Sequence, residues 1–217
     1  MAMSTSKNPR AEQRADSAPV VAVLLAAGLS SRMGRRKQLL PWNGATMLSS
    51  VADCIARQAR LPLVLVHQGA VPAYSGGVAV ENEAPEQGLS HSLKLGLEAV
   101  AQGWPTACAA VFLADQPFVT ASDIAAAVAA FRQREKGCHA LRPVYNGQVG
   151  HPVLLDREAV SWAFRLEGDR GLRDLLAVSG FCTVDIEVNG RPNPAWDVDT
   201  PSDYRQACRW LSGEDRL

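Results

Sequence analysis

Apolar residues in this chain come in short uninterrupted runs separated by stretches of helical spacing. Val20 to Leu25 (VVAVLL) is a β-branched and aliphatic run that ends at Ala26-Ala27-Gly28. A continuous run of this kind predicts a strand covered on both faces, as in a parallel sheet. Leu63 to Val66 and Ala109 to Leu113 repeat the pattern, and Val78 to Val80 predicts a short strand. Between them the spacing predicts helices from about Thr46 to Arg57 and from Ser90 to Ala101, the latter with Leu93, Leu97 and Val100 on one face. An alanine-rich helix follows to about Arg134, capped by Ser122 or Asp123. Strands alternating with helices imply βαβ crossovers and a three-layer α/β/α fold with a mostly parallel sheet.

The second half changes character. Ala140 to Tyr145 and Val149 to Leu155 flank Asn146-Gly147, the strongest short hairpin signal. Short helices near Arg157 to Arg165 and Gly171 to Ala177, a strand at Thr183 to Val188 and a terminal helix from Ser202 to Leu211 complete the pattern. The organisation predicted is a polar lead over 1–19, a single domain over 20–212 with a strand-rich hairpin insertion at 139–155, and a tail over 213–217.

Composition narrows the function classes. Hydrophobic residues make up 47% of the 217, enough for a packed core. Lys+Arg and Asp+Glu are both 22. A protein that grips a long nucleic acid usually carries a basic excess, so the balance argues against that partner. No run approaches the roughly 18 to 20 apolar residues of a membrane span, and the lead lacks the apolar core of a secretory signal. Cys54, Cys108, Cys138, Cys182 and Cys208 are dispersed with no C-x-x-C pair, which predicts neither a zinc site nor a disulfide framework and suits a reducing cytoplasm.

The loop after the first strand carries the richest chemistry. It reads Leu25-Ala26-Ala27-Gly28-Leu29-Ser30-Ser31-Arg32-Met33-Gly34-Arg35-Arg36-Lys37-Gln38 and sits where ligands bind in open α/β sheets. Small residues and Gly28 let backbone N–H groups approach an anion. Four of the six residues from Arg32 to Lys37 are cationic, and such a density favours a bound anion, with polyphosphate the natural candidate. The spacing fits neither the G-x-G-x-x-G dinucleotide turn nor the P-loop. A solvated basic loop is the alternative reading.

Asp115 follows a predicted buried strand directly, in Leu113-Ala114-Asp115-Gln116-Pro117, a place from which a carboxylate can hold Mg²⁺ over phosphates. Asp197 and Asp199 alternate, so in an extended segment they share a face. Thr200 or Ser202 can cap the last helix, with Pro201 in its first turn and Asp203 favoured there by the helix dipole. Gly88 and Ser90 to Ser92 mark a helix N-terminus, suited either to an anion or to ordinary capping.

These motifs together resemble the MobA-like nucleotidyltransferases, and within them the CTP:molybdopterin cytidylyltransferases. The pattern L-A-A-G-x-S-x-R-M-G-x-x-K is matched from Leu25 to Lys37, and the likeness runs from about Val20 to Leu211. The resemblance implies a Rossmann-like nucleotidyltransferase fold. It implies transfer of CMP from CTP to the terminal phosphate of molybdopterin, with magnesium or manganese as cofactor. Leu25, Ala26, Ala27, Gly28, Ser30, Arg32, Gly34 and Lys37 would then wrap the nucleotide, with Arg32 and Lys37 on its phosphates. Members that use GTP tend to read L-A-G-G where this chain reads Leu25-Ala26-Ala27-Gly28, which favours CTP.

The same resemblance makes Asp115 a magnesium ligand and Asp199, ahead of Asp197, the second. Asn82, Gly88 and Ser92 fall near the base and ribose, although Glu83 and Ala84-Pro85 depart from the family pattern beside Asn82. Gly150-His151-Pro152 and the turn holding Gly168 and Asp169 face the acceptor. His151 is expected to orient the acceptor phosphate, and Asp169 to cap the helix beginning near Gly171. A transient complex with a molybdoenzyme or its chaperone is expected. The same chemistry with GTP or another phosphorylated acceptor, and a non-catalytic cofactor carrier, are the alternatives.

Overall fold

The computed structural model describes residues 18–30, 33–71, 77–168, 170–177, 183–188 and 193–213. The strands are β1 (Val20–Ala26), β2 (Pro41–Trp42), β3 (Ala45–Thr46), β4 (Leu63–His67), β5 (Val78–Glu81), β6 (Cys108–Leu113), β7 (Ala140–Tyr145), β8 (Gln148–Val149), β9 (Val153–Leu155) and β10 (Thr183–Val188). The helices are α1 (Met47–Asp53), α2 (Leu89–Gly103), α3 (Ala121–Arg132), α4 (Arg157–Ala163), α5 (Leu172–Leu176) and α6 (Pro201–Ser212). A π-helical turn, Cys54–Gln58, continues α1.

The central sheet runs β10-β7-β9-β6-β1-β4-β5, with β8 paired to β7. β6, β1, β4 and β5 are mutually parallel, whereas β9 runs antiparallel to both β6 and β7. The expected hairpin forms: Asn146 (φ 52°) and Gly147 (φ 80°) make its turn, and a positive φ at both central residues matches the right-handed twist of the strands. Its second arm is broken at Gly150-His151-Pro152 into β8 and β9, and both β7 and β9 join the main sheet.

Alternation along β1 divides the core. Ala22, Leu24 and Ala26 pack with Leu48 of α1 and with Ile124 and Phe131 of α3. Val21, Val23 and Leu25 pack on the other face with Leu93 and Leu97 of α2, Ala159 of α4 and Leu172 of α5. Helices on both faces of a mostly parallel sheet make the expected three layers. Gly96 lets α2 lie against the sheet, since a β-carbon there would overlap Val23 and press on Val66.

A third, aromatic cluster fastens the C-terminal segment. Phe118 meets Trp42 and Trp210 edge-on at 5.2 and 5.6 Å and stacks on Trp196 at 5.5 Å.

Several local details differ from expectation. Thr120, not Ser122 or Asp123, is the N-cap of α3, with Asp123 returning the bond from the third helical position. The N-terminus of α5 is tied by Asp174, which accepts from Gly171 N–H at 2.9 Å, while Asp169 lies outside the described residues. Cys138 is disulfide-bonded to a partner outside the described residues, which corrects the reading of the cysteines as five dispersed thiols; Cys54, Cys108 and Cys208 are free. Among the described residues no helix is long and apolar enough to cross a membrane.

Candidate active site

Two cavities open side by side at the carboxyl ends of β1 and β6, sharing Leu25, Leu89 and Leu113 as walls. The smaller, ≈ 400 Å³, is bounded by the loop from Ala26 to Ser30, by Lys37 and Gln38, by Gly88 and Ser92 at the start of α2, and by Asp115 and Asp199. The larger, ≈ 730 Å³, lies toward β7 to β9, and its polar wall includes Gln116, Arg142, Gln148, His151 and Asp197.

The loop after β1 keeps its shape through a buried amide. Gln38 Nε2 donates to the carbonyls of Ala26 (2.6 Å) and Gly28 (3.2 Å), and its Oε1 accepts from Ser30 Oγ at 3.1 Å. Ser30 Oγ in turn accepts from Lys37 N–H at 3.2 Å. Gln38 received no role from the sequence; its side chain stays buried only because each of its polar atoms finds a partner. Gly28 is required neither by packing nor by a positive φ, and the space its missing side chain leaves is open, on a cavity wall. Gly34 does not line the cavity; at φ 64° it makes the turn. Arg32 lies outside the described residues.

The charge density of the loop is partly spent within the protein. Arg36 donates to the backbone carbonyls of Gln68 and Ala70, tying the loop to the segment after β4. Lys37 Nζ donates to Asp115 Oδ2 at 2.5 Å and to Asp199 Oδ1 at 2.6 Å. Burial lowers the pKa of Lys37, but the two carboxylates outweigh it and leave the ammonium's pKa above its ordinary value.

Residues 83 apart in sequence meet here through backbone. Val198 N–H donates to the carbonyl of Asp115 at 2.9 Å, fastening the segment before α6 to the end of β6. Thr200 caps α6, and Asp203 Oδ2 accepts from the N–H groups of Asp199 and Thr200 at 3.1 and 2.8 Å. Asp199 is thereby fixed on the smaller cavity, while Asp197 turns to the larger one and accepts from Gln116 Nε2 at 2.8 Å.

The pair Asp115 and Asp199 fits a divalent cation. Asp115 Oδ1 is buried and has no hydrogen-bond partner among the described residues, and its sister oxygen with Asp199 already surrounds a cationic ammonium. Mg²⁺ is commonly held by one or two carboxylates, with phosphate oxygens and water completing its shell.

Asn82 stands behind the cavity. It is buried, donates from Nδ2 to Ser92 Oγ at 2.9 Å and accepts from Ala84 N–H at 2.9 Å. Ser92 and Gly88 reach the wall and Asn82 does not. On the other side, Gly150 and His151 line the larger cavity, but Pro152 and Gly168 do not. Gly168 accepts from Ser90 N–H at 3.2 Å. Gly150 is needed for a close approach, because a β-carbon there would lie 2.7 Å from the Tyr145 ring and 2.8 Å from Ala195.

His151 Nδ1 lies 3.1 Å from Gln116 Oε1. Burial pushes its pKa down to about 4 against the opposing charge of Asp115. The imidazole is therefore neutral at pH 7.

The chain is 29% identical to the molybdenum cofactor cytidylyltransferase of Escherichia coli (strain K12) over 192 residues, 84% of this chain and 92% of that protein. Its fold is similar to Rv0371c from Mycobacterium tuberculosis H37Rv (TM-score 0.73, 32% identity, 87% of this chain and 97% of that one). The manganese complex of Rv0371c gives a TM-score of 0.71 at 30% identity, with the same coverage of 87% and 97%. The MobA-like NTP transferase domain matches residues 22–184, and with a glycine loop, a lysine and two carboxylates on one cavity the chain belongs to that family.

Proposed function

We propose that this protein transfers CMP from CTP to the terminal phosphate of molybdopterin, releasing pyrophosphate. The observation that carries the reading is the convergence of the Gly28 loop, Lys37, Asp115 and Asp199 on one cavity, with a second cavity sharing its wall. CTP occupies the smaller cavity, its phosphates over the loop from Ala26 to Ser30 and its base and ribose toward Gly88 and Ser92. The Leu25-Ala26-Ala27-Gly28 sequence and the similarity to the E. coli cytidylyltransferase support CTP as the nucleotide.

The acceptor phosphate is already anionic near neutral pH, so the reaction needs no strong general base. Its difficulty is bringing two anions together and neutralising the charge that grows on the leaving pyrophosphate. Asp115 and Asp199 would hold magnesium or manganese, which would supply charge neutralisation and polarise the α-phosphate. Lys37 turns from the carboxylates to the phosphates and, with Arg32 and the loop N–H groups, holds pyrophosphate as it leaves. The acceptor oxygen forms its bond to the α-phosphorus as the bond to the pyrophosphate oxygen breaks. Gly150 and His151 border the acceptor in the larger cavity, and Gly168 and Asp169 are proposed as further acceptor contacts. The product passes to a molybdoenzyme or its chaperone in a transient complex.

Pyrophosphate release with molybdopterin and CTP, GTP, ATP or UTP in parallel tests the reading. CTP should be used fastest. Faster turnover with GTP, or none with any of the four, sinks it.

A further inference from the structure

The larger cavity contains a hydrogen-bonded chain whose polarity can be read from its far end. Gln116 Nε2 donates to Asp197 Oδ1 at 2.8 Å, which places the amide nitrogen on the Asp197 side. The Gln116 oxygen is then the atom facing His151 Nδ1 at 3.1 Å, and a carbonyl oxygen also only accepts. His151 must therefore carry its proton on Nδ1. Gln116 is buried with both ends satisfied, which leaves the amide no reason to flip. The ring is further held by its backbone, since His151 O accepts from Tyr145 Oη at 3.1 Å and Gly150 fits only under Tyr145 and Ala195.

The remaining nitrogen, Nε2, then carries a lone pair and no proton. It has no hydrogen bond among the described residues and is not sealed from solvent, while the residue lines the larger cavity. We propose that His151 determines specificity for the second substrate by accepting, through Nε2, a hydrogen bond from an N–H or O–H group of that substrate, with Gln116 and Asp197 as positioning residues that set the tautomer. The inference rests on the larger cavity being the acceptor cavity. It assigns His151 to a donor-bearing part of the acceptor, such as the amino or ring N–H edge of a heterocycle. A phosphate offers only acceptors near neutral pH and finds nothing to bind at Nε2.

Two measurements test it. ¹⁵N-edited NMR of the full chain without substrate should find His151 neutral and protonated on Nδ1, and Gln116→Leu should move the proton toward Nε2. Steady-state kinetics with CTP and molybdopterin should show KM for molybdopterin raised on the order of tenfold in both Gln116→Leu and His151→Phe, as for loss of one hydrogen bond, with KM for CTP within about twofold. The unchanged KM for CTP reports an intact fold.

An Nε2–H tautomer in the unsubstituted protein overturns the inference whatever the enzyme transfers. A molybdopterin KM that stays within about twofold in both variants overturns it even if the tautomer is as stated. If Gln116→Leu unfolds, Asp197→Ala, one residue further from the ring, must show the same tautomer shift and KM split. Failure of the unsubstituted protein to use molybdopterin refutes the proposed function instead and makes the acceptor assignment void, while the NMR result still decides the tautomer.

Discussion

The two cavities share a wall but differ in the polar groups nearest to it. The smaller is organised by full charges: one ammonium between two carboxylates, on a loop whose backbone is stitched by Gln38. The larger is lined by a relay that ends in a neutral imidazole, from Asp197 through Gln116 to His151. The contrast suits two tasks. Holding a triphosphate requires mobile counter-charge, and distinguishing a second molecule by its edge requires a fixed donor and acceptor pattern.

Removing the charges should have the larger effect. Lys37→Ala or Asp115→Ala should lower kcat about 10²- to 10³-fold, the scale of losing one preorganised electrostatic contact, with the far-ultraviolet circular dichroism of the fold retained. Near-unchanged pyrophosphate release from either variant at saturating Mg²⁺ would remove the smaller cavity from the chemistry.

The neutral ring should appear as a pH dependence of stability. His151 titrates near 4 in the folded chain against an ordinary value of 6.5, so the unfolded chain binds more protons between those limits. Its contribution is fully present above about pH 6.5 and is lost as pH falls through 4, about 3 kcal/mol in all. Urea unfolding at pH 7 and pH 4.5 should show this loss, and His151→Phe should flatten it. An equal slope in both proteins would contradict a buried neutral ring.

Gly96→Ala probes what the cavities share, because α2 supplies Leu89 to both, Ser92 to the smaller and Leu93 to the larger. Forcing a methyl group against Val23 and Val66 should cost about 1 to 3 kcal/mol in thermal unfolding and raise KM for both substrates. A rise for one substrate alone would show that the helix end moves independently of its middle. Asn82→Ala should be milder, about 1 kcal/mol, and should raise KM for CTP alone, since Asn82 supports Ser92 and reaches neither wall directly.

What could be read from the sequence follows the same division. β1, β4 and β6 were legible because buried parallel strands are continuous apolar runs. Lys37, Asp115 and Asp199 were legible because charged residues at strand ends or beside a capped helix have few structural reasons to be there. The relay was not, since Gln116 lies 35 residues from His151 and 81 from Asp197, and an amide carries no period or charge to announce its partners. Gln38 was hidden for the same reason, although it sits within the loop that carries the family pattern. β9 is three residues long, and the hairpin signal that predicted it did not reveal that it also pairs with β6 in the main sheet. Charge density alone did not show that Arg36 serves backbone carbonyls.

Leu25, Leu89 and Leu113 form the partition between the cavities, and Leu89 is 42% exposed. Two reactants can enter on either side of such a partition independently, but once joined they become a single molecule straddling it. In the proposed reaction that product would have to lift away from both chambers at once, so that departure, more than bond formation, would be the event a receiving protein could assist.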